Sequence, residues 1–211
     1  MTILIEDLSF RYGPRLALDN VTFSAHAGAV VGLLGNNGAG KSTIFKIVCG
    51  LLKPFSGTVV VNGHALREHR SQVRATLGYV AQRFGLYEDL TVMENLHFFA
   101  NAYGLDGAAA SERVNAVLDR FELHGRKQDQ AGSLSQGWKQ RLALATALVH
   151  RPSVLLLDEA TAGLDMAARK YAWTVIDSEA AAGVTVLLST HHSDEAQRCH
   201  QTIWLQEGRV Q

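Results

Sequence analysis

A glycine-rich loop that directly follows an apolar run constrains the fold of this chain more than any other feature. Residues 35–43 read Gly-Asn-Asn-Gly-Ala-Gly-Lys-Ser-Thr, and they follow the apolar run Ala29–Leu34. A run without alternation is typical of a strand that is buried on both faces of a parallel sheet. The next segment, Thr43–Leu52, has helical spacing and stops at Lys53-Pro54. A buried strand, a glycine loop and a helix in this order predict an α/β fold.

The same loop predicts phosphate binding, because it satisfies the pattern G-x-x-x-x-G-K-S/T in the strand–loop–helix context that the pattern requires. Glycines allow positive φ angles, so that backbone N–H groups converge on phosphate oxygens at the positive end of a helix. Lys41 can reach the β- and γ-phosphates, and the Ser42 hydroxyl can bind Mg²⁺. The residues predicted to bind ATP or GTP are Gly35, Asn36, Asn37, Gly38, Ala39, Gly40, Lys41, Ser42 and Thr43.

A second apolar run, Val154–Leu157, ends at the acidic pair Asp158 and Glu159. Together with the phosphate loop, this pair predicts a hydrolytic site in which Asp158 joins Ser42 in the Mg²⁺ shell. Glu159 is then placed to polarise an attacking water as a general base. Adjacent carboxylates next to a bound triphosphate are poorly tolerated without a cation, which also indicates Mg²⁺.

The remaining pattern predicts one domain over residues 1–211, with a catalytic core in 1–87 and 151–211 and a helical subdomain in 88–150. Alternating residues on both sides of a Gly13-Pro14 turn predict antiparallel strands near the start of the chain. Predicted strands are Thr2–Phe10, Asn20–Ala25, Ala29–Leu34, Thr58–Val61, Leu77–Ala81, Val154–Leu157, Val184–Ser189 and Thr202–Leu205. In the helical subdomain the predicted amphipathic helices are Glu94–Tyr103, Ala108–Glu122 and Gln136–Val149.

Composition argues against several other classes of protein. The chain has 211 residues, with 20 basic and 20 acidic side chains, so it has no general nucleic-acid signature and no nucleic-acid partner is expected. Its 2 cysteines do not support a disulfide framework and favour a reduced, cytosolic protein. No apolar run is long enough to span a bilayer, so any membrane role is expected to act through a partner.

The segment Leu134–Arg141, Leu-Ser-Gln-Gly-Trp-Lys-Gln-Arg, resembles the signature motif of ATP-binding cassette (ABC) ATPases. The other family motifs follow in order, and the resemblance covers Ile3 to Val210. It implies a P-loop NTPase (RecA-like) core with an N-terminal antiparallel β subdomain and an inserted α-helical subdomain. It also implies a homodimer, or a heterodimer of two cassettes, that holds ATP and Mg²⁺ between the phosphate loop of one copy and the signature of the other.

The resemblance assigns expected roles to individual residues. Tyr12 matches the aromatic residue that stacks on adenine, and Gln82 the glutamine that touches Mg²⁺ and the attacking water. His191 matches the histidine that contacts the γ-phosphate, whereas Ser135 and Gly137 match the groups that contact the opposing ATP. Ser135 is also expected to cap the helix that follows it. The chain departs from the usual family residues at Gln136, Trp138, Ala160 and Met166.

Residues 84–96 and 137–142 are most similar to the ABC-2 type exporter branch, in which separate membrane subunits form the pathway. That resemblance implies contact with integral membrane permease subunits near Phe84–Tyr87, the alternative being packing inside the helical subdomain. The expected location is the cytoplasmic face of the cell membrane. A soluble ABC ATPase of DNA repair or translation is the alternative function, and a P-loop kinase or GTPase would leave the signature unexplained. The transported substrate is not predicted.

Overall fold

A computed structural model describes residues 1–211, and its ten strands form two sheets. The strands are β1 (Ile3–Tyr12), β2 (Arg15–Ala25), β3 (Val30–Leu34), β4 (Ser56–Val61), β5 (His64–Ala65), β6 (Leu77–Val80), β7 (Val154–Asp158), β8 (Thr185–Thr190), β9 (Gln201–Gln206) and β10 (Arg209–Val210). Every predicted strand is present, and the first two are longer than predicted because their ladder continues up to the Gly13-Pro14 turn.

The larger sheet has the order β10-β9-β3-β8-β7-β6, and only the pairing of β10 with β9 is antiparallel. Strands β3, β7 and β8 are buried along their whole length, as expected for continuous apolar runs in a parallel sheet covered on both faces. The smaller sheet has the order β2-β1-β4-β5 and is antiparallel throughout. The predicted α/β core and antiparallel N-terminal sheet are therefore both present.

Seven α-helices accompany the sheets. They are α1 (Lys41–Val48), α2 (Arg70–Ala75), α3 (Val92–Ala102), α4 (Gly107–Arg120), α5 (Gln136–Leu148), α6 (Met166–Ala181) and α7 (Ser193–Ala196). Helix α1 begins two residues earlier and ends four residues earlier than the predicted Thr43–Leu52. Its end is set by Gly50, which has a φ of +67° and follows the C-cap Cys49. Helices α3, α4 and α5 match the three predicted amphipathic segments within residues 88–150.

Each face of the parallel sheet carries its own hydrophobic core. One cluster joins alternate sheet residues, such as Leu155 and Leu188, to the apolar faces of α3, α4, α5 and α6. The other joins the intervening sheet residues, such as Leu156 and Leu187, to α1 and the antiparallel sheet. The helical subdomain and the antiparallel sheet thus pack on opposite sides of the strands that deliver the phosphate loop and the acidic pair.

None of the helices combines the length and the apolar character that crossing a lipid bilayer requires.

Candidate functional site

The predicted site residues converge at the carboxyl edge of the parallel sheet. Gly35 follows β3, Asp158 ends β7, and Gln82 lies two residues after β6. Strand β8 lies between β3 and β7 and pairs its Ser189 with Asp158. Ligands of open α/β sheets bind at this edge, because the loops that leave parallel strands meet there. The topology therefore gathers residues that are more than a hundred positions apart in the sequence.

The phosphate loop is held in a conformation that requires glycine at two positions. Gly40 is the N-cap of α1 with a φ of +112°, and a Cβ there would lie 2.6 Å from Leu18 Cδ2. Gly35 has a φ of +148°, and a Cβ there would lie 2.2 Å from the carbonyl oxygen of Leu205. The backbone N–H of Gly208, in the turn between β9 and β10, donates to the carbonyl oxygen of Ala39 over 3.0 Å. The loop is thus supported by β2 and by the β9–β10 hairpin.

Lys41 lies in the centre of the site with only 4% of its surface exposed. Its Nζ donates to the carbonyl oxygens of Gly35, over 2.7 Å, and Asn36, over 3.2 Å. Glu159 Oε1 lies 3.7 Å from the same nitrogen. A buried ammonium group needs acceptors, and here the loop supplies them with its own carbonyl groups.

The acidic pair is organised by Ser189 on the neighbouring strand. Ser189 Oγ donates to Asp158 Oδ1 over 2.8 Å and accepts the backbone N–H of Glu159 over 2.9 Å. The Ser42 hydroxyl donates to the same Asp158 oxygen over 3.1 Å. Glu159 adopts a φ of +50°, a conformation that non-glycine residues rarely take and that is often found where surrounding structure enforces it. Ser189 is a site residue that sequence reasoning missed.

The Ser42 hydroxyl and the Asp158 carboxylate fit a magnesium site, because hard oxygen donors from a hydroxyl and a carboxylate are what Mg²⁺ prefers. Their oxygens already lie 3.1 Å apart at the mouth of the phosphate loop. Tyr79 on β6 lies near the same carboxylate. Burial of the Tyr79 phenol and, to a smaller extent, the negative charge of Asp158 raise its pKa above the usual value. The phenol therefore stays neutral beside the acidic residue.

Gln82 and Glu159 meet across the cleft. Gln82 Nε2 donates to Glu159 Oε2 over 2.9 Å, so the amide and the carboxylate form one polar unit. Gln82 is exposed, whereas Glu159 is only partly so. The prediction that both belong to one site agrees with this geometry.

An open cleft of about 320 Å³ lies over the phosphate loop. Tyr12 lies at its rim, 45% exposed, with its ring edge-on to Phe10 at a centroid distance of 4.8 Å. Gln82 and Glu159 also line the cleft. Arg15 lines it too, although no sequence pattern indicated it, since only the β1–β2 turn brings it beside the loop. A cleft of this kind has room for a nucleotide with its base beside Tyr12 and its phosphates at the loop.

The signature residues lie elsewhere and do not line this cleft. Ser135 is the N-cap residue of α5, as predicted, but its hydroxyl makes no capping hydrogen bond, so that part of the prediction is wrong. The Ser135 carbonyl oxygen accepts the N–H of Lys139, the first backbone hydrogen bond of the helix. Ser135 and Gln136 are exposed, and the Ser135 hydroxyl has no partner within the chain.

Trp138, next in the signature, makes cation–π contacts with Arg126 and Arg141, at 4.6 and 4.7 Å from its ring centroid. Arg141 also lies 3.8 Å from the ring centroid of Tyr171 on α6. A Cβ on Gly137 would lie 3.3 Å from Ala168 Cβ, so the first turns of α5 and α6 are in close contact. His191 is exposed beside His192 and does not line the cleft.

The segment predicted to meet a permease divides into buried and exposed parts. Phe84 and Leu86 are partly buried against the core of the helical subdomain, whereas Tyr87 is 46% exposed. Tyr87 packs against Phe98 and Phe99 of α3, with ring centroids 4.5 and 6.2 Å away. Phe98 is 42% exposed and packs edge-on against Tyr87.

Comparisons with known proteins agree with this geometry. The family described as "ABC transporter" matches residues 18–162. The chain is 43% identical, over 205 residues, to the "Probable multidrug ABC transporter ATP-binding protein YbhF" of Escherichia coli (strain K12), covering 97% of this chain and 36% of that protein. It is 41% identical, over 200 residues, to the "Nod factor export ATP-binding protein I" of Burkholderia pseudomallei (strain 1710b), covering 94% of this chain and 66% of that protein.

Two solved structures share the fold over the whole chain. One, described as an ATP binding subunit of an ABC transporter, has a TM-score of 0.89 and 34% identity, covering 100% of this chain and 88% of that one. The other, a dimeric structure of the bacterial ABC transporter cassette MJ0796, has a TM-score of 0.90 and 26% identity, covering 99% and 96%. The chain thus spans between about a third and two thirds of the length of these curated relatives, and most of the length of the two solved cassettes.

Proposed function

Because this chain belongs to the ABC transporter family, we propose that it is the ATP-hydrolysing unit of an exporter whose membrane-spanning subunits are separate chains. The observation that carries the proposal is the meeting of Lys41, Glu159 and Gln82 at the mouth of the phosphate loop. This arrangement places a cation for phosphate oxygens next to a carboxylate for a water molecule. The names of the two curated relatives, which mention multidrug transport and Nod factor export, support the exporter branch.

We propose that ATP binds with its adenine on the exposed ring of Tyr12 and its phosphates in the loop Gly35–Thr43. The backbone N–H groups at the start of α1 and the partial positive charge of that helix end favour the anion. Lys41 exchanges the Gly35 and Asn36 carbonyl oxygens, its present acceptors, for phosphate oxygens. The new acceptors carry negative charge whereas the carbonyl groups are neutral, so the exchange favours binding.

The hydrolytic step follows from the position of Glu159. Its carboxylate accepts a proton from water while the water oxygen bonds to the γ-phosphorus and the bond to the β–γ bridging oxygen breaks. Gln82, hydrogen-bonded to Glu159, orients that carboxylate and the water. We propose that Ser42, Asp158 and Gln82 hold Mg²⁺, which neutralises phosphate charge when bound. His191, exposed one residue after β8, would reach the γ-phosphate only when the site closes.

We further propose that two cassettes, identical or different, act together. Ser135 and Gly137 lie outside the cleft of their own chain, and the Ser135 hydroxyl is exposed and uncommitted. Both groups are therefore free to contact a nucleotide held by a second cassette. Gln136 is exposed beside them, so its side chain can turn to solvent and leave the backbone donors accessible.

The proposed permease contact is the aromatic patch formed by Tyr87, Phe98 and Phe99. An apolar cleft of about 570 Å³, lined by Leu51, Leu77, Tyr79 and Tyr103 among others, lies further along α3. Phe99 and Tyr103 are four residues apart and share one face of the helix end, which makes the patch and the cleft neighbours. Exposed aromatic groups beside an apolar cleft are typical of protein interfaces. Such a contact would place the chain on the inner face of the membrane.

The decisive experiment replaces Glu159 by glutamine, which keeps the size of the side chain and removes its basicity. Loss of a general base costs about a hundredfold to ten-thousandfold in turnover, so Glu159→Gln should bind ATP normally and hydrolyse it that much more slowly. It should also accumulate as a dimer with MgATP. The matched control is Glu207→Gln, because Glu207 is exposed and has the same φ of +50°. Full ATPase activity in Glu159→Gln would refute the assignment.

The transport role has its own test, co-purification of an integral membrane protein with the chain from detergent-solubilised membranes. Tyr87→Ser should lose this partner, whereas Trp204→Ser, which removes another exposed aromatic residue, on β9, should keep it. Repeated recovery with ribosomes or DNA and no membrane protein would favour the soluble alternative.

A further inference from the structure

Two large apolar side chains protrude from the segment that follows α1. Leu51 is 61% exposed and Phe55 is 57% exposed, and neither belongs to a hydrophobic core. The proposed catalytic mechanism uses neither residue. Exposure of two large apolar groups within five residues costs solvation free energy in water, so a surface that covers them is expected.

Cationic side chains surround these two residues. Lys53, Arg67 and Arg70 line a pocket of about 180 Å³ whose remaining walls include Leu52 and Val59. None of the three cations makes an ion pair or a side-chain hydrogen bond within the chain. Of the eight other exposed arginines, three have a carboxylate partner: Arg120 with Glu179, Arg198 with Asp177 and Arg209 with Asp19. Three cations without a partner in the chain thus line one pocket.

Other charged groups belong to the same surface. Arg11 lies over the Phe55 ring, with Cζ 5.5 Å from the centroid, and adds a fourth cation. The acidic residues nearby are Glu68, which lines the pocket without a partner, Glu6, which lies opposite Thr58 in the β1–β4 ladder, and Asp7, whose backbone packs against Gly57 of the pocket. Four cations against three carboxylates leave the surface positive, whereas the whole chain has a formal charge of zero.

This surface adjoins the cleft that we assign to the permease. Arg70 of the pocket begins α2, and Ser71, Arg74 and Ala75 of the same helix line the cleft. Leu51 lines the cleft, and the next residue, Leu52, lines the pocket. If an integral membrane subunit occupies the cleft, the positive surface lies beside that subunit; this orientation rests on the proposed function.

We propose that Leu51, Lys53, Phe55, Arg67 and Arg70, the basic patch, bind an anionic phospholipid surface. Lys53, Arg67 and Arg70 contact the lipid phosphates, while Leu51 and Phe55 enter the boundary between headgroups and acyl chains. Apolar side chains flanked by cations are the combination that interfacial membrane binding requires. An acidic protein segment would account for the cations but not for the two exposed apolar side chains that flank the segment 52–54.

The test is sedimentation of the purified chain with vesicles, without nucleotide or any other protein. One set of vesicles contains phosphatidylglycerol in phosphatidylcholine at a ratio of about one to two, and the other contains phosphatidylcholine alone. We expect binding only to the anionic vesicles, weakened by raised salt. Each cation near an anionic surface accounts for about a fivefold change in partitioning. The variant Lys53→Gln/Arg67→Gln/Arg70→Gln should therefore bind on the order of a hundredfold more weakly.

The matched control is Lys127→Gln/Arg151→Gln/Lys170→Gln, which changes the net charge equally at three positions that are also free of ion pairs. It should bind as the wild type does. Phe55→Ser should weaken binding and leave the ATPase activity of the chain unchanged, because Phe55 lines neither the nucleotide cleft nor the cleft assigned to the permease. Equal binding of the two triple variants would overturn the proposal.

A second outcome would also overturn the proposal. If the patch variant lost a membrane-protein partner in detergent but bound anionic vesicles like the wild type, the basic patch would be a protein interface. Since ATP hydrolysis by Glu159 and capture of a permease through Tyr87 are measured separately, failure of the lipid proposal leaves the proposed function standing.

Discussion

Replacing Ser189 by alanine would remove the hydroxyl that connects the two acidic residues of the site. That hydroxyl donates to Asp158 over 2.8 Å and accepts the Glu159 backbone N–H over 2.9 Å, and the residue is only 1% exposed. In the variant, the carboxylate of Asp158 keeps the Ser42 hydroxyl as a donor, whereas the Glu159 N–H has no replacement. Glu159 would then be held less firmly in its left-handed conformation.

The cost can be worked out from these two bonds. A hydrogen bond to a charged group contributes about 1.5–3 kcal/mol, and a buried donor left unsatisfied costs about 1–3 kcal/mol. Allowing for partial relaxation, we expect Ser189→Ala to lower the free energy of unfolding by about 2–4 kcal/mol. A shift of Glu159 of about 1 Å should further lower kcat by about a hundredfold, since catalytic groups tolerate little misplacement.

The assay pairs urea unfolding with steady-state ATPase kinetics, and its control lies on the same strand. Thr185, at the other end of β8, is fully buried, and its hydroxyl donates to the His26 carbonyl oxygen over 3.0 Å. Thr185→Val removes a buried hydroxyl far from the site, so it should lose stability by about 1 kcal/mol and keep its kcat. If both variants lost turnover in proportion to stability, or if Ser189→Ala kept wild-type kcat, the organising role of Ser189 would be refuted.

Three further predictions concern the loop, the signature and the core. Lys41→Ala should weaken MgATP binding by about tenfold to a hundredfold in a binding titration. The control is Lys46→Ala, on the exposed side of α1, which should bind MgATP as the wild type does. Equal affinities of the two variants for MgATP would contradict the phosphate-loop assignment. Trp138→Gln should lower the free energy of urea unfolding by about 1–2 kcal/mol, because it loses two cation–π contacts, while ATP affinity stays unchanged. His150, stacked on Tyr103 at a centroid distance of 3.5 Å, has its pKa lowered from 6.5 to about 4 by burial. Below pH 6.5 the histidine is protonated in the unfolded chain but stays neutral in the folded chain until the pH reaches about 4. The free energy of unfolding should therefore fall by about 1–2 kcal/mol over this range, after allowance for solvent screening. His150→Phe should show a smaller fall, and a pH dependence identical to that of the wild type would contradict this origin.

The strands and helices that could be predicted from the sequence are those with a clear residue pattern within one contiguous segment. Ala29–Leu34 and Val154–Leu157 are uninterrupted apolar runs followed by loop residues of known chemistry, and both became buried strands of the parallel sheet. The helix α6 was not predicted, although it has 16 residues. Its buried face includes Ala172, Ile176 and Glu179, so small and charged residues dilute the apolar pattern. Glu179 is tolerated there because it pairs with Arg120 of α4, a contact that no local pattern reveals.

The candidate site divides in the same way. The loop residues and the acidic pair were predicted because each motif is contiguous, and the structure brings them to one edge of the sheet. The role of Ser189 depends on the register of β8 and β7, in which Ser189 pairs with Asp158. That register is a property of the assembled sheet. Arg15 reaches the cleft only through the hairpin turn. Long-range geometry of this kind has no signature in a single sequence.

The β9–β10 hairpin gives the phosphate loop a mechanical connection to a distant part of the chain. Gly208 donates its N–H to Ala39 in the loop and accepts, at its carbonyl oxygen, the N–H of Asp19 on β2. Arg209 closes the same junction with bonds of 2.9 and 2.6 Å to the Asp19 carboxylate. We therefore expect loop, hairpin and antiparallel sheet to open and close as one cooperative unit. A nucleotide that tightens the loop should slow amide hydrogen exchange at Asp19 and Gly208, which lie outside the binding site.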